Sequence, residues 1–159
     1  MNVLLAFLMF FMPVGARLNY PFQYLTQEGT PLFLPNFIMP EAGCNWAGVA
    51  GQVFDLTGEP VPGLFVKISG ILDGQMVEIY TLSGMAVQVG PGGFEVTLAD
   101  HLVTGETDMF IQLLDISAEP ISPPLRLPIR ASCDLNLTLF NFMRVVITNE
   151  VFFPLLTQE

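Results

Sequence analysis

Apolar and small residues recur at every second position through residues 44–68, CNWAGVAGQVFDLTGEPVPGLFVKI, the stretch that sets the pattern for the rest of the chain. Val49, Gly51 and Val53 recur at every second position with Gln52 falling between them, and after Asp55-Leu56-Thr57-Gly58 the rhythm resumes with Leu64, Val66 and Ile68 against Phe65, Lys67 and Ser69. A period of two is that of a strand buried on one face. Asp can hydrogen-bond the backbone two residues on and Gly supplies positive φ, so the interruption is a turn with a mechanism. Pro60 and Pro62 exclude a helix in the connection. The stretch predicts strand, tight turn and strand, an opening hairpin.

The same rhythm continues downstream. Asp73-Gly74 marks a turn and residues 76–82 a strand. Gly90-Pro91-Gly92-Gly93 is the sharpest break, followed by Phe94, Val96 and Leu98 alternating with Glu95, Thr97 and Ala99. Residues 109–114, MFIQLL, form a nearly continuous apolar run of the kind found in mid-sheet. Prolines 120, 123, 124 and 128 predict an irregular crossing with a short edge strand at residues 125–129. Leu135, Leu137 and Leu139 then begin a last strand that continues through Phe142. No sustained period of 3.6 residues interrupts this series. The pattern predicts an all-β chain, one sheet laid over another, spanning residues 44–142.

Both flanks depart from the pattern. Residues 1–16, MNVLLAFLMFFMPVGA, are apolar, uncharged and end in Val14-Gly15-Ala16, which fits the small-residue rule for signal cleavage although a positive n-region is missing. The alternative is a retained apolar strand or anchor; the run is short for a transmembrane helix. Residues 17–43 carry prolines 21, 31, 35 and 40 among Phe22, Tyr24, Leu32, Leu34, Phe37 and Ile38, which predicts an extended apolar arm. Such an arm either wraps its own sandwich or pairs with a neighbouring subunit. Residues 143–159 form a β-prone tail, and its Leu156-Thr157-Gln158-Glu159 repeats Leu25-Thr26-Gln27-Glu28 of the arm. That repeat raises a polymer in which the tail of one subunit takes the place of the next subunit's arm.

Gly51-x-Val53-x-Asp55, Gly58-x-Pro60-Val61-x-Gly63 and Val66-x-Ile68 together resemble the opening of the carboxypeptidase regulatory-like domains, which share the transthyretin (prealbumin-like) sandwich. The resemblance implies a seven-stranded antiparallel Greek-key β-sandwich, usually an accessory module of secreted or surface proteins with no chemistry of its own. Gly90-Pro91-Gly92-Gly93-Phe94, Ile111-Gln112-Leu113-Leu114-Asp115 and Cys133-Asp134-x-Asn136-Leu137 extend the likeness to secreted or surface bacterial proteins carrying such a domain.

Charge and cysteine content narrow the partners. Five basic residues against fifteen acidic give a formal net charge of −10, which argues against nucleic acid or an anionic membrane surface. Cys44 opens the first core strand and Cys133 precedes the last. A bridge between them would close a long loop and require an oxidising compartment; the alternative is two buried free thiols.

Candidate chemistry is sparse. The only histidine, His101, sits in an acidic loop and has no nucleophile elbow to serve. Asp55 with Glu59, or Asp100 with Glu106 and Asp108, could attract calcium, but no DxDxDG spacing occurs. Gly90-Pro91-Gly92-Gly93 lacks the Lys and Ser/Thr of a phosphate loop. Asn136-Leu137-Thr138 is formally a glycosylation sequon, on a strand. The sequence therefore carries the expectation of no enzyme, no cofactor and no metal. Exposed aromatics would serve a sugar, and Trp46 and Tyr80 are the candidates, Trp46 also being placed to pack on the bridge. Three readings follow: a secreted or cell-surface structural or adhesive module, a filament or surface-layer subunit joined by strand exchange, and a carbohydrate-binding module.

Overall fold

The computed structural model describes residues 23–146. Residues 1–16, the start of the arm and the end of the tail from residue 147 lie outside the described residues. Ten strands follow in chain order: β1 (Tyr24–Thr26), β2 (Leu32–Leu34), β3 (Ala47–Phe54), β4 (Phe65–Leu72), β5 (Gln75–Leu82), β6 (Gly93–Ala99), β7 (Asp108–Leu114), β8 (Leu125–Arg126), β9 (Leu137–Leu139) and β10 (Phe142–Arg144). A single 3-10 turn, Pro40–Ala42, is the only helical element among the described residues. The chain is all-β, with two sheets arranged as a sandwich.

One sheet has the order β5-β4-β7-β8; the other is built on β3, with β6 on one side and β9 and β10 on the other. The even positions of β4 (Val66, Ile68, Leu72) and the odd ones of β7 (Met109, Ile111, Leu113) are buried against Val49, Val53, Phe94 and Phe142 of the facing sheet. The predicted two-residue rhythm is thus the boundary between core and outer face.

Three features differ from the expectation. Among the described residues there are ten strands, not the seven that the resemblance implies for the sandwich of residues 44–142, because the arm contributes β1 and β2 and the last strand breaks at Phe140-Asn141 into β9 and β10. The ladders are not all antiparallel: β9 and β10 both run parallel to β3. The opening pair is not a hairpin, since β3 and β4 belong to different sheets. The chain doubles back only far enough for Val61 N to donate to Val53 O (2.8 Å) and for Pro60 to bridge Phe54, after which Pro62, without an N–H, carries it across.

The arm lies on its own sandwich. β1 pairs antiparallel with β10, and β2 with β9. Leu34, Ile38 and Ala42 then cover a second, smaller core of Trp46, Ala50 and Leu137 on the outer face of the β3 sheet. Asn136 ties these pieces together. Its Nδ2 donates to Gly43 O (2.8 Å) and Trp46 O (2.9 Å), and its Oδ1 accepts from Asn36 N at 3.1 Å. With 2% of its surface exposed and its amide fully engaged, Asn136 is a buried bracket rather than an accessible sequon. Where the last strand breaks, Asn141 Oδ1 accepts from Gln52 N (2.9 Å), replacing the missing ladder bond.

Cys44 and Cys133 form a disulfide, with Cα atoms 4.7 Å apart. They sit just before β3 and β9, so the bridge staples the leading ends of two parallel strands whose connection spans most of the molecule.

One turn occurs twice. Asp55-Leu56-Thr57-Gly58-Glu59-Pro60-Val61 after β3 and Asp115-Ile116-Ser117-Ala118-Glu119-Pro120-Ile121 after β7 share their pattern position by position. Asp55 Oδ1 accepts from the amides of Thr57 (2.8 Å) and Glu59 (2.9 Å), and Asp115 Oδ1 from those of Ser117 (2.8 Å) and Glu119 (2.9 Å). The Thr57 hydroxyl, then the amides of Thr57 and Glu59, hold the Asp55 carboxyl below the usual carboxylate range. The fourth residue is left-handed in both, Gly58 at φ 87° and Ala118 at φ 63°.

Two outcomes follow from this architecture. Closing an 89-residue separation contributes about 4–5 kcal/mol by chain entropy, so Cys133→Ser with Cys44→Ser lowers the melting temperature by roughly 10–15 °C in a thermal scan. Ala118→Gly relieves a left-handed alanine and raises stability by about 1 kcal/mol in urea titration; a loss of stability would show that the two turns are not equivalent.

Candidate functional site

The outer face of the four-stranded sheet is the surface to which the alternation gives side chains without a core to bury them. From β4 it presents Phe65, Lys67, Ser69 and Ile71; Tyr80 and Glu78 of β5, and Phe110 and Asp108 of β7, flank them. Register fixes their neighbours. Tyr80, Lys67 and Gln112 form one cross-strand row, and Glu78, Ser69, Phe110 and Arg126 the next.

Two similar clusters result, one on each side of β4. In the first, Lys67 Nζ lies 2.7 Å from Glu78 Oε2 and 5.5 Å from the centre of the Tyr80 ring, and Tyr80 donates its hydroxyl to Glu78 Oε1 at 3.0 Å. Glu78, then Tyr80, raise the Lys67 ammonium above its ordinary value, and Lys67 holds the Glu78 carboxyl down. In the second, Arg126 Nη2 lies 2.9 Å from Asp108 Oδ1, an ion pair without hydrogen-bond alignment, and the guanidinium stands 6.0 Å from the Phe110 ring centre. Each cluster is an aromatic ring beside a neutralised charge pair. At one end of the sheet Phe65, Tyr80, Thr81, Leu82 and Met85 line a shallow apolar pocket, with Met85 70% exposed.

The other predicted residues fall elsewhere. Tyr80 is 49% exposed and stands on this face, whereas Trp46 is 2% exposed. Trp46 is therefore corrected as a ligand contact: its indole donates to Thr97 Oγ1 at 3.0 Å and its ring fills the space that Gly48 leaves, where a Cβ would come within 2.5 Å. The acidic residues considered for calcium do not converge. Asp55 is spent on its own turn, Asp100 on His101 and Asp108 on Arg126. Among the described residues no three His, Cys, Asp or Glu side chains gather as a metal ion would need. Glu78, Phe110 and Arg126 escaped the sequence reading; Asp108 entered it only as a calcium candidate, and Lys67 was the one residue of the two clusters that the alternation placed on an outward position.

His101 is clipped between two carboxylates. Its Nδ1 lies 2.9 Å from Asp100 Oδ1 and its Nε2 3.0 Å from Asp73 Oδ2, while Asp73 Oδ1 accepts from Gly105 N at 2.7 Å. Both ring nitrogens face acceptors, an arrangement that only the imidazolium satisfies. Asp100, then Asp73, raise the His101 pKa. The clip closes residues 100–107 over the β4–β5 turn, where Gly74 N also donates to Glu106 O (3.0 Å).

No family model matches the chain, and no curated protein does. A solved structure, the dioxygenase domain of a dioxygenase carbohydrate-binding protein fusion from the cellulolytic bacterium Streptomyces sp. SirexAA-E, is similar at a TM-score of 0.45 and 15% identity, over 76% of this chain and 96% of that one. The expectation that the chain is no enzyme is set aside on this finding, because the similar structure is itself a dioxygenase domain. No residue role passes from that domain to this chain.

The histidine clip sets a pH dependence. With a raised folded pKa, its contribution to stability is complete below the ordinary value near 6.5 and is lost as pH rises through the folded value. Hydrogen exchange at the Gly105 amide should accelerate beyond its intrinsic pH dependence across that window in the wild type and not in His101→Gln; equal profiles would remove the clip.

Proposed function

We propose that this protein is an extracellular structural or adhesive β-sandwich module of a bacterial surface or secreted protein, which makes contact through the outer face of its four-stranded sheet. The observation that carries the reading is the asymmetry between the two outer faces. On the β3 sheet the arm seals Trp46, Ala50 and Leu137. On the β4 sheet Tyr80 remains open beside the pocket of Phe65, Leu82 and Met85. Exposed apolar and aromatic groups set together on one face mark a contact surface.

Other features support the setting. The Cys44–Cys133 bridge suits an oxidising compartment. No helix among the described residues is long and apolar enough to cross a membrane. The net charge of −10 disfavours nucleic acid as the partner. The resemblance of residues 51–68 to the carboxypeptidase regulatory-like domains suits a module of this kind. The filament reading loses its main instrument, since β1 and β2 of the arm already pair with β10 and β9 of the same chain. A carbohydrate partner is the second reading, and the exposure of Tyr80 favours it.

Beads coated with the folded chain are expected to adhere to at least one of bacterial cell-wall sacculi, chitin, cellulose or collagen, and to lose most of that adhesion in Tyr80→Asp with Met85→Asp. Trp46 is the only tryptophan and is buried, so its emission maximum reports whether the variant is folded. Wild-type beads that hold to none of these surfaces, or adhesion that survives the substitutions, would sink the proposal.

A further inference from the structure

The outer sheet face is not a uniform apolar patch, and its composition discriminates among partners. A protein-binding surface places its apolar groups together at the centre and its charges at the rim. Here the order is inverted. Lys67 and Ser69 hold the middle of β4 between Phe65 and Ile71, and the aromatic rings of Tyr80 on β5 and Phe110 on β7 stand on either side, each beside its own charge pair.

We infer that this face binds a neutral polysaccharide strand at two subsites, the exposed Tyr80 with Lys67 and Glu78, and the half-buried Phe110 with Arg126 and Asp108; the inference rests on the adhesive reading of the same face. A pyranose ring has an apolar C–H surface that stacks on an aromatic ring and a rim of hydroxyls that both donate and accept. Each subsite offers the complement. The ring supplies the platform, the cation donates to hydroxyl oxygens, and the carboxylate accepts from hydroxyl protons.

Charge decides between neutral and acidic chains. Lys67 and Arg126 are each matched by a carboxylate, at 2.7 Å and 2.9 Å, and the whole chain carries −10, so an anionic polymer meets no uncompensated cation. Spacing favours a chain over a single sugar. Tyr80 and Phe110 are separated by two strand intervals across the sheet and two residues along it, which places their Cα atoms about 12 Å apart. That is the span of a short oligosaccharide running obliquely across β5, β4 and β7.

Affinity electrophoresis tests this directly, because the acidic chain migrates in a native gel by itself. Gels cast with hydroxyethyl cellulose, xylan, galactomannan or a β-1,3-glucan are expected to retard the protein in at least one case, and alginate gels are not. Tyr80→Ala and Arg126→Ala should each weaken retardation by several-fold to about tenfold, and Phe110→Ala by a similar factor where Trp46 emission shows it folded. Retardation by alginate alone, or retardation that both exposed-residue variants leave unchanged, overturns the assignment. If no neutral polysaccharide retards the protein while coated beads still adhere to collagen, the sugar assignment falls and the adhesive reading stands with a protein partner. If beads and gels both fail, the two fall together.

Discussion

The parallel contact between β3 and β9 is the constraint on which the other elements depend. Gly48, Val49 and Ala50 lie beside Leu137, Thr138 and Leu139 although almost the whole sandwich intervenes in sequence. A parallel pair so far apart has no turn to hold its register. Three devices supply what a turn would. The Cys44–Cys133 bond fixes the leading ends, the Asn136 amide binds Gly43 and Trp46 on the approach to β3, and Phe140 N donates to Ala50 O (2.8 Å) at the trailing end. Gly51 completes the fit, since a Cβ there would overlap the Phe140 carbonyl. With that seam closed, β1 and β2 find an edge to extend and the arm has an apolar floor to cover.

Much of the fold was written in the two-residue rhythm, and the reason lies in what the rhythm encodes. Alternation states which side chains face the core, so the all-β character and the two facing sheets were legible in it. It does not state which strand is hydrogen-bonded to which. The turn at Asp55 therefore read as a hairpin, whereas the chain leaves the sheet after Pro60. The ladder direction of β9 was equally hidden, because it is decided by a disulfide and a buried amide and not by local propensity.

The candidate site was legible only in part, for a related reason. Tyr80 stood out as an exposed aromatic, while Trp46, equally conspicuous in the text, is consumed by packing into the gap above Gly48. An aromatic beside a cysteine and two small residues is positioned to be core, and the glycine was the clue. Phe110 and Arg126 became partners through the pairing of β7 with β8, which a proline-rich crossing conceals. The doubled turn at Asp55 and Asp115 was present in plain letters. Its recognition needs comparison of the chain with itself rather than with a secondary-structure period.

The places where the described chain enters and leaves the sandwich are adjacent, Val145 N donating to Gln23 O at 2.8 Å. A tether pulling on both ends would peel β1 away from β10 one rung at a time, a mode that resists little load. Unravelling would then travel inward from both flanks until it met the Cys44–Cys133 bond, beyond which no covalent slack remains. The sandwich is thus a fuse in series with a lock: its flanking strands can yield and lengthen under tension, while the body that carries Tyr80 and Phe110 cannot be drawn out.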